Sequence, residues 1–194
     1  MSTTLLADIG GSKSRFAIAN SSGAVEHVLV IHNDTAADLD AAVSRYLEET
    51  GARPCAATLA VAGPVDGEEV VLTNRTNWRL RRVEFAERFG LSQLRLLNDF
   101  EAIAWALPHL GPAHTRPLGS AVSPREGVKV VLGPGTGLGV AALLPVDGRW
   151  HVIASEGGHL SFGPQAPDEA AVFARLRDEC GSVSAETVSV SSPN

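Results

Sequence analysis

Apolar and polar positions alternate along this chain in a way that divides it into short strands and amphipathic helices. Leu5–Ile9 predicts a buried strand running into Gly10-Gly11-Ser12, and Arg15–Asn20 predicts a second. After the Ser21-Ser22-Gly23 turn, Val25–Ile31 predicts a third strand and completes a meander. Leu39, Val43, Tyr46 and Leu47 fall on one face of a helix that stops near Gly51. Ala57–Ala62 predicts a further buried strand, closed by Gly63-Pro64-Val65. Val70–Leu72 leads into a polar loop, Thr73–Trp78, and Val83–Phe89 predicts a short helix ended by Gly90. Leu94, Leu96 and Leu97 make a short strand closed by Asn98-Asp99. Phe100, Ile103, Ala104 and Leu107 are then spaced as one helical face that ends before Pro108.

Beyond that helix the pattern changes. Pro108, Pro112 and Pro117, with Gly111 and Gly119, stop any helix. A boundary is therefore expected between residues 1–108 and 109–194. Lys129–Leu132, Val140–Leu144 and Trp150–Ile153 predict three more strands, the first two joined by Gly133-Pro134-Gly135-Thr136-Gly137-Leu138-Gly139. Asp168–Cys180 is the last clear helix, with Ala171, Phe173, Leu176 and Cys180 as its apolar facing and Gly181 as its stop. Ser184-Ala185-Glu186 opens a short segment before a polar tail. A β-rich start followed by α/β alternation predicts an α/β protein, a mixed sheet with helices packed against it.

Composition narrows the function classes. A hydrophobic content of 44% with 20% charged residues fits a globular protein with a real core. The formal net charge of −6 argues against a general nucleic-acid binder. No apolar run approaches a membrane span, and the N-terminus lacks the basic start and long apolar region of a signal peptide. Cys55 and Cys180 are isolated, which excludes a cysteine-rich zinc site and favours the reducing cytoplasm.

The polar residues that interrupt this pattern carry the candidate chemistry. Asp99 falls where a strand ends and a helix begins, and open α/β sheets bind ligands outside the carboxyl ends of their strands. A carboxylate there can act as general base toward a substrate hydroxyl; equally, Asn98 or Asp99 can cap the helix. Glycines at Gly10-Gly11 let backbone N–H groups approach an anion, and Asp8 beside them can hold a metal ion directly or through water. A plain Gly-Gly hairpin explains the same letters. Four glycines around Thr136 make a second candidate phosphate cradle, or a structural turn. Trp78 suits either stacking on a sugar face or the core. Glu156 and His159, too few for a metal site by themselves, read as partners for sugar hydroxyls or as a polar turn.

Taken together, Asp8–Ser12, Leu72–Trp78, Leu97–Phe100, Gly133–Gly139, Glu156–His159 and Val183–Glu186 resemble, in order, the motifs of the bacterial glucokinase family, within the actin-like and hexokinase-like superfamily. The resemblance implies an actin-like, ribonuclease-H-like two-lobed sugar kinase that moves the ATP γ-phosphoryl group to the 6-hydroxyl of glucose. Asp99 would be the base. Asn98, Asp99, Glu156, His159 and Glu186 would bind the sugar. Asp8, Ile9, Gly10, Gly11 and Ser12, facing Gly135, Thr136 and Gly137, would hold the phosphates, with Asp8 near Mg²⁺.

Three residues depart from the family pattern: Ala7 for glycine, Ser12 for threonine and Lys13 for asparagine. After Val188 the family continues for over a hundred residues, including its adenosine-binding loop. The second lobe is thus expected to be incomplete, with weak ATP binding and exposed apolar surface in this chain alone. A homodimer is expected only where the large lobe is complete. Two readings follow: an ATP-dependent hexose kinase of the cytoplasm, or a truncated, non-catalytic sugar-binding remnant or sensor. A regulatory zinc-containing sugar-kinase relative is disfavoured by the absent cysteine motif.

Overall fold

A five-stranded mixed sheet organises the first half of the protein. The computed structural model describes residues 3–72, 75–119, 127–134, 137–181 and 183–189, with the backbone alone at 76, 186 and 189. Two compact units result, Met1–Asp99 and Phe100–Asn194. The division falls one residue into the helix that follows Asn98, whereas the proline pattern put it after that helix, at residue 108.

In the first unit, β1 (Thr4–Ile9), β2 (Lys13–Ala19) and β3 (Val25–His32) form the antiparallel meander. Helix α1 (Leu39–Thr50) leads to β4 (Ala56–Val61), which runs parallel to β1. A hairpin of β5 (Glu69–Leu72) and β6 (Arg75–Arg81), then α2 (Arg82–Arg88), lead to β7 (Gln93–Asn98), parallel to β4. The sheet order is β3-β2-β1-β4-β7. Three antiparallel strands followed by two parallel ones form the mixed sheet expected from the β-rich start and the α/β alternation that follows it.

Alternation explains the core. Leu5, Ala7 and Ile9 of β1 and Ala57, Leu59 and Val61 of β4 are buried on one face. Against them α1 buries Leu39, Ala42, Val43 and Tyr46. Tyr46 stacks on Phe16 with ring centroids 5.2 Å apart, and its hydroxyl donates to the His27 carbonyl at 2.9 Å. The Asp38 carboxylate accepts from the Ala41 N–H at 2.7 Å and so caps α1, and Gly51 ends it at a φ of 66°.

One expected element is corrected. The stretch Thr73–Trp78 is not a loop from Arg75 onward, because β6 begins there. Trp78 and Leu80 are buried while Asn77 and Arg79 are exposed, a period of two, and Val70 pairs with Leu80 across the hairpin. Trp78 is fully buried with Leu72 and Leu80, so its ring packs the core and presents no face to a sugar. Thr73 and Asn74 lie outside the described residues.

The second unit takes in most of α3 (Asp99–Ala106), then β8 (Lys129–Pro134), β9 (Leu138–Val146) and β10 (Arg149–Ser155), an antiparallel sheet in the order β10-β9-β8. Helix α4 (Ala170–Cys180) follows a short 3₁₀ turn at Pro167–Glu169, so the α-helix starts two residues later than Asp168. Gly181 closes α4 at a φ of 73°. Helix α5 (Ala185–Ser189) ends the described chain.

Candidate active site

At the carboxyl edge of the parallel strands of the first unit, Ile9, Val61 and Asn98 are in register. Immediately beyond them come the Gly10–Ser12 turn after β1, Gly63 after β4 and Asp99 after β7. The row thus spans two strand spacings, about 10 Å. Cross-strand bonds tie it together: the Ala62 N–H donates to the Ile9 carbonyl at 3.0 Å, and Asn98 Nδ2 donates to the Gly63 carbonyl at 3.2 Å. Asn98 is therefore held by the neighbouring strand's exit, which fixes the residue before Asp99. Asn98 and Asp99 are both half-buried, and Asp99 is the first residue of α3.

Asp8 stands one residue inside this row. Its carboxylate accepts from the Arg15 guanidinium of the adjacent strand at 2.7 Å, and the pair is about half exposed. Among the described residues no three His, Cys, Asp or Glu side chains gather as a metal-binding group. A single carboxylate such as Asp8 has the chemistry to hold an ion that keeps phosphate and water oxygens as its other ligands. Lys13, the first residue of β2, is exposed. Behind the Gly10–Ser12 turn lie Ser14 and Asn33, both fully buried, and Arg75. No motif marks Ser14 or Asn33, and Arg75 lies in the Leu72–Trp78 motif without a role read for it from the sequence.

A second group forms within the other unit. Gly133 and Gly139 are paired across β8 and β9, on either side of the glycine turn. A Cβ on either would run into the Phe100 ring, so these two glycines give Phe100 its seat on the sheet. Gly135 and Thr136 lie outside the described residues, and Gly137 leads directly into β9.

The Gly157–His159 turn packs on the start of β9, because a Cβ at Gly158 would meet the Leu138 carbonyl. Within it the Glu156 carboxylate lies 3.2 Å from His159 Nδ1, and both side chains are largely exposed. The next residues are stitched to α5: Ala185 N–H donates to Leu160 O at 3.0 Å, and Phe162 N–H to Val183 O at 3.1 Å. Backbone bonding thus brings Glu156, His159 and the position of Glu186 to one end of this unit, next to Gly137. Burial pushes the Asp40 carboxyl up despite Arg88 at 3.1 Å, and burial pushes Tyr46 up; both belong to the packing of α1.

The family model described as Glucokinase matches residues 5–192. The chain belongs to the glucokinase family. A glucokinase of Chelativorans sp. strain BNC1 is 43% identical over 186 residues, covering 95% of this chain and 54% of that protein. The crystal structure of a glucokinase from an Antarctic psychrotroph is 33% identical, with a TM-score of 0.78 over 97% of this chain and 60% of that one. A glucokinase from Balamuthia mandrillaris, solved in complex with glucose, is 24% identical with a TM-score of 0.70, over 95% and 58% of the two chains; it shows likeness of fold. The chain spans about half the length of the curated glucokinases it matches.

Proposed function

We propose that this protein acts as a glucokinase, transferring the γ-phosphoryl group of ATP to the 6-hydroxyl of glucose. The observation that carries the reading is the in-register row of Ile9, Val61 and Asn98, which lines a glycine turn and a carboxylate along one sheet edge in a chain of this family.

In this reading Asp99 accepts the proton of the 6-hydroxyl as its oxygen attacks phosphorus. Such a base contributes roughly 10²–10⁴-fold. Asn98, Glu156, His159 and Glu186 hydrogen-bond the sugar hydroxyls, and Asp99 also meets the 6-hydroxyl. A site of polar groups rejects a sugar lacking a hydroxyl, because its own donors and acceptors are then left unpaired. Gly10, Gly11 and Ser12, together with Gly135, Thr136 and Gly137, hold the phosphates, with Ile9 setting the start of the first turn. Phosphoryl transfer asks chiefly for this positioning and for charge stabilisation.

Mg²⁺ belongs to the same proposal. Bound with ATP, it would neutralise charge on the phosphates, and Asp8 would hold it directly or through water. Arg15, paired to Asp8 at 2.7 Å from the adjacent strand, restrains that carboxylate. A cytoplasmic location is supported by cysteine usage, with Cys55 and Cys180 isolated in the sequence and without CxxC spacing. Among the described residues no helix is long and apolar enough to cross a membrane.

The direct test is formation of glucose 6-phosphate by the purified chain from glucose and Mg-ATP, followed through a coupled dehydrogenase. ATP-dependent product supports the proposal. Glucose binding in calorimetry with no product would support the sugar-binding, non-catalytic reading in its place.

A further inference from the structure

The Gly10–Ser12 turn is held from behind by buried polar groups. Asn33 is fully buried, and its Nδ2 donates to the carbonyls of Gly10 at 2.8 Å and Gly11 at 3.1 Å. Its Oδ1 accepts from the buried Ser14 hydroxyl at 2.8 Å, and its backbone N–H donates to Ser12 O at 3.0 Å. Arg75 adds a bond from Nε to the Gly11 carbonyl at 3.3 Å and one from its guanidinium to Asn33 O at 3.4 Å. An ion pair with Asp34 and the face of Trp78, 5.3 Å from the guanidinium carbon, hold Arg75 in place. Removing a member of such a buried network leaves its partners unsatisfied.

The planar peptide bond supplies the consequence. In a trans peptide the carbonyl of one residue and the N–H of the next point in opposite directions. No cis peptide occurs among the described residues. Drawing the Gly10 carbonyl onto Asn33 therefore turns the Gly11 N–H away from it. Drawing in the Gly11 carbonyl does the same for the Ser12 N–H. No hydrogen bond among the described residues uses either amide, whereas the Gly10 N–H donates to Lys13 O at 3.1 Å. Two successive unused N–H groups, facing away from a rigid polar backing, suit an anionic oxygen.

We infer that Asn33, assisted by Arg75, is the positioning residue of the first phosphate turn: it sets the two peptide planes whose Gly11 and Ser12 amides face the phosphates. The inference rests on the proposed reading of Gly10–Ser12 as a phosphate turn.

The test uses the ¹⁵N-labelled full chain and two variants, Asn33→Asp and Arg75→Lys. Asn33→Asp keeps the shape but removes the Nδ2 donors. Arg75→Lys keeps the charge toward Asp34 but removes Nε. In the wild type, the Gly11 and Ser12 amides are expected to exchange rapidly with solvent and to shift on addition of Mg-ADP. Asn33→Asp should weaken Mg-ADP binding about tenfold, and Arg75→Lys about threefold, with glucose affinity held within about twofold.

Exchange-protected Gly11 and Ser12 amides in the wild type would overturn the inference. So would an Asn33→Asp variant that binds Mg-ADP as tightly as the wild type. Rapidly exchanging amides that do not shift with Mg-ADP would support the orientation by Asn33 and count against the turn as a phosphate site. Should Asn33→Asp fail to fold, wild-type exchange and Arg75→Lys decide the question.

Discussion

Glu156 shows how one residue type is committed by its surroundings. It precedes a 3₁₀ turn that glycine alone can press against β9, and its carboxylate faces His159 Nδ1 at 3.2 Å. In the proposed site that carboxylate accepts hydrogen bonds from sugar hydroxyls, and a charged acceptor makes the stronger kind. Glu156→Gln is expected to weaken glucose binding about tenfold in calorimetry while leaving Mg-ADP affinity unchanged. An equal loss toward both ligands would place Glu156 in the fold and not in the sugar site. At this scale the sequence is candid about residues that sit in motifs, such as Asp8, Asn98 and Asp99. It is silent on Asn33, because what marks that asparagine is the pair of glycine carbonyls it meets 22 and 23 residues away.

Among the elements, the β8–β9 hairpin carries the clearest constraint. Gly133 and Gly139 face each other across the ladder, and both lie under the Phe100 ring. Gly139→Ala must displace that ring or bend β9, an overpacking cost of about 1–3 kcal/mol. Gly163, with open space around it and an ordinary φ, is the control: Gly163→Ala should stay within about 0.5 kcal/mol. Urea unfolding of both variants checks this, and equal midpoints would contradict the packing described. The glycine spacing at 133–139 reads in the sequence as a phosphate cradle, yet two of its four glycines serve an aromatic side chain.

Strands with clean apolar alternation, such as β1 and β4, were legible to within a residue. The β6 strand was not. Its first residues are polar, and only pairing with β5 and burial of Trp78 and Leu80 declare it a strand. The split after Asp99 was likewise hidden, since prolines mark where a helix stops and not which unit the helix joins.

For the molecule as a whole, the second unit leaves apolar surface in water. Val130 and Leu132 alternate outward on β8, and Ile153 lies in register with Val130 through Ala142. All three are more than half exposed. A contiguous apolar face of this kind binds hydrophobic dyes and promotes association. The double substitution Val130→Thr with Leu132→Thr is expected to lower dye fluorescence and raise solubility without changing far-UV circular dichroism. Unchanged dye binding would mean that this face is not what the dye meets.

The central claim is that Asp99, at the end of β7, is the base of a hexose kinase. The measurement that bears on it most directly is the turnover of Asp99→Asn against the wild type, with glucose affinity determined in parallel. The account predicts turnover reduced by roughly 10²–10⁴-fold, with glucose affinity held within a few-fold of the wild type. Undiminished turnover in a variant that still binds glucose would contradict it.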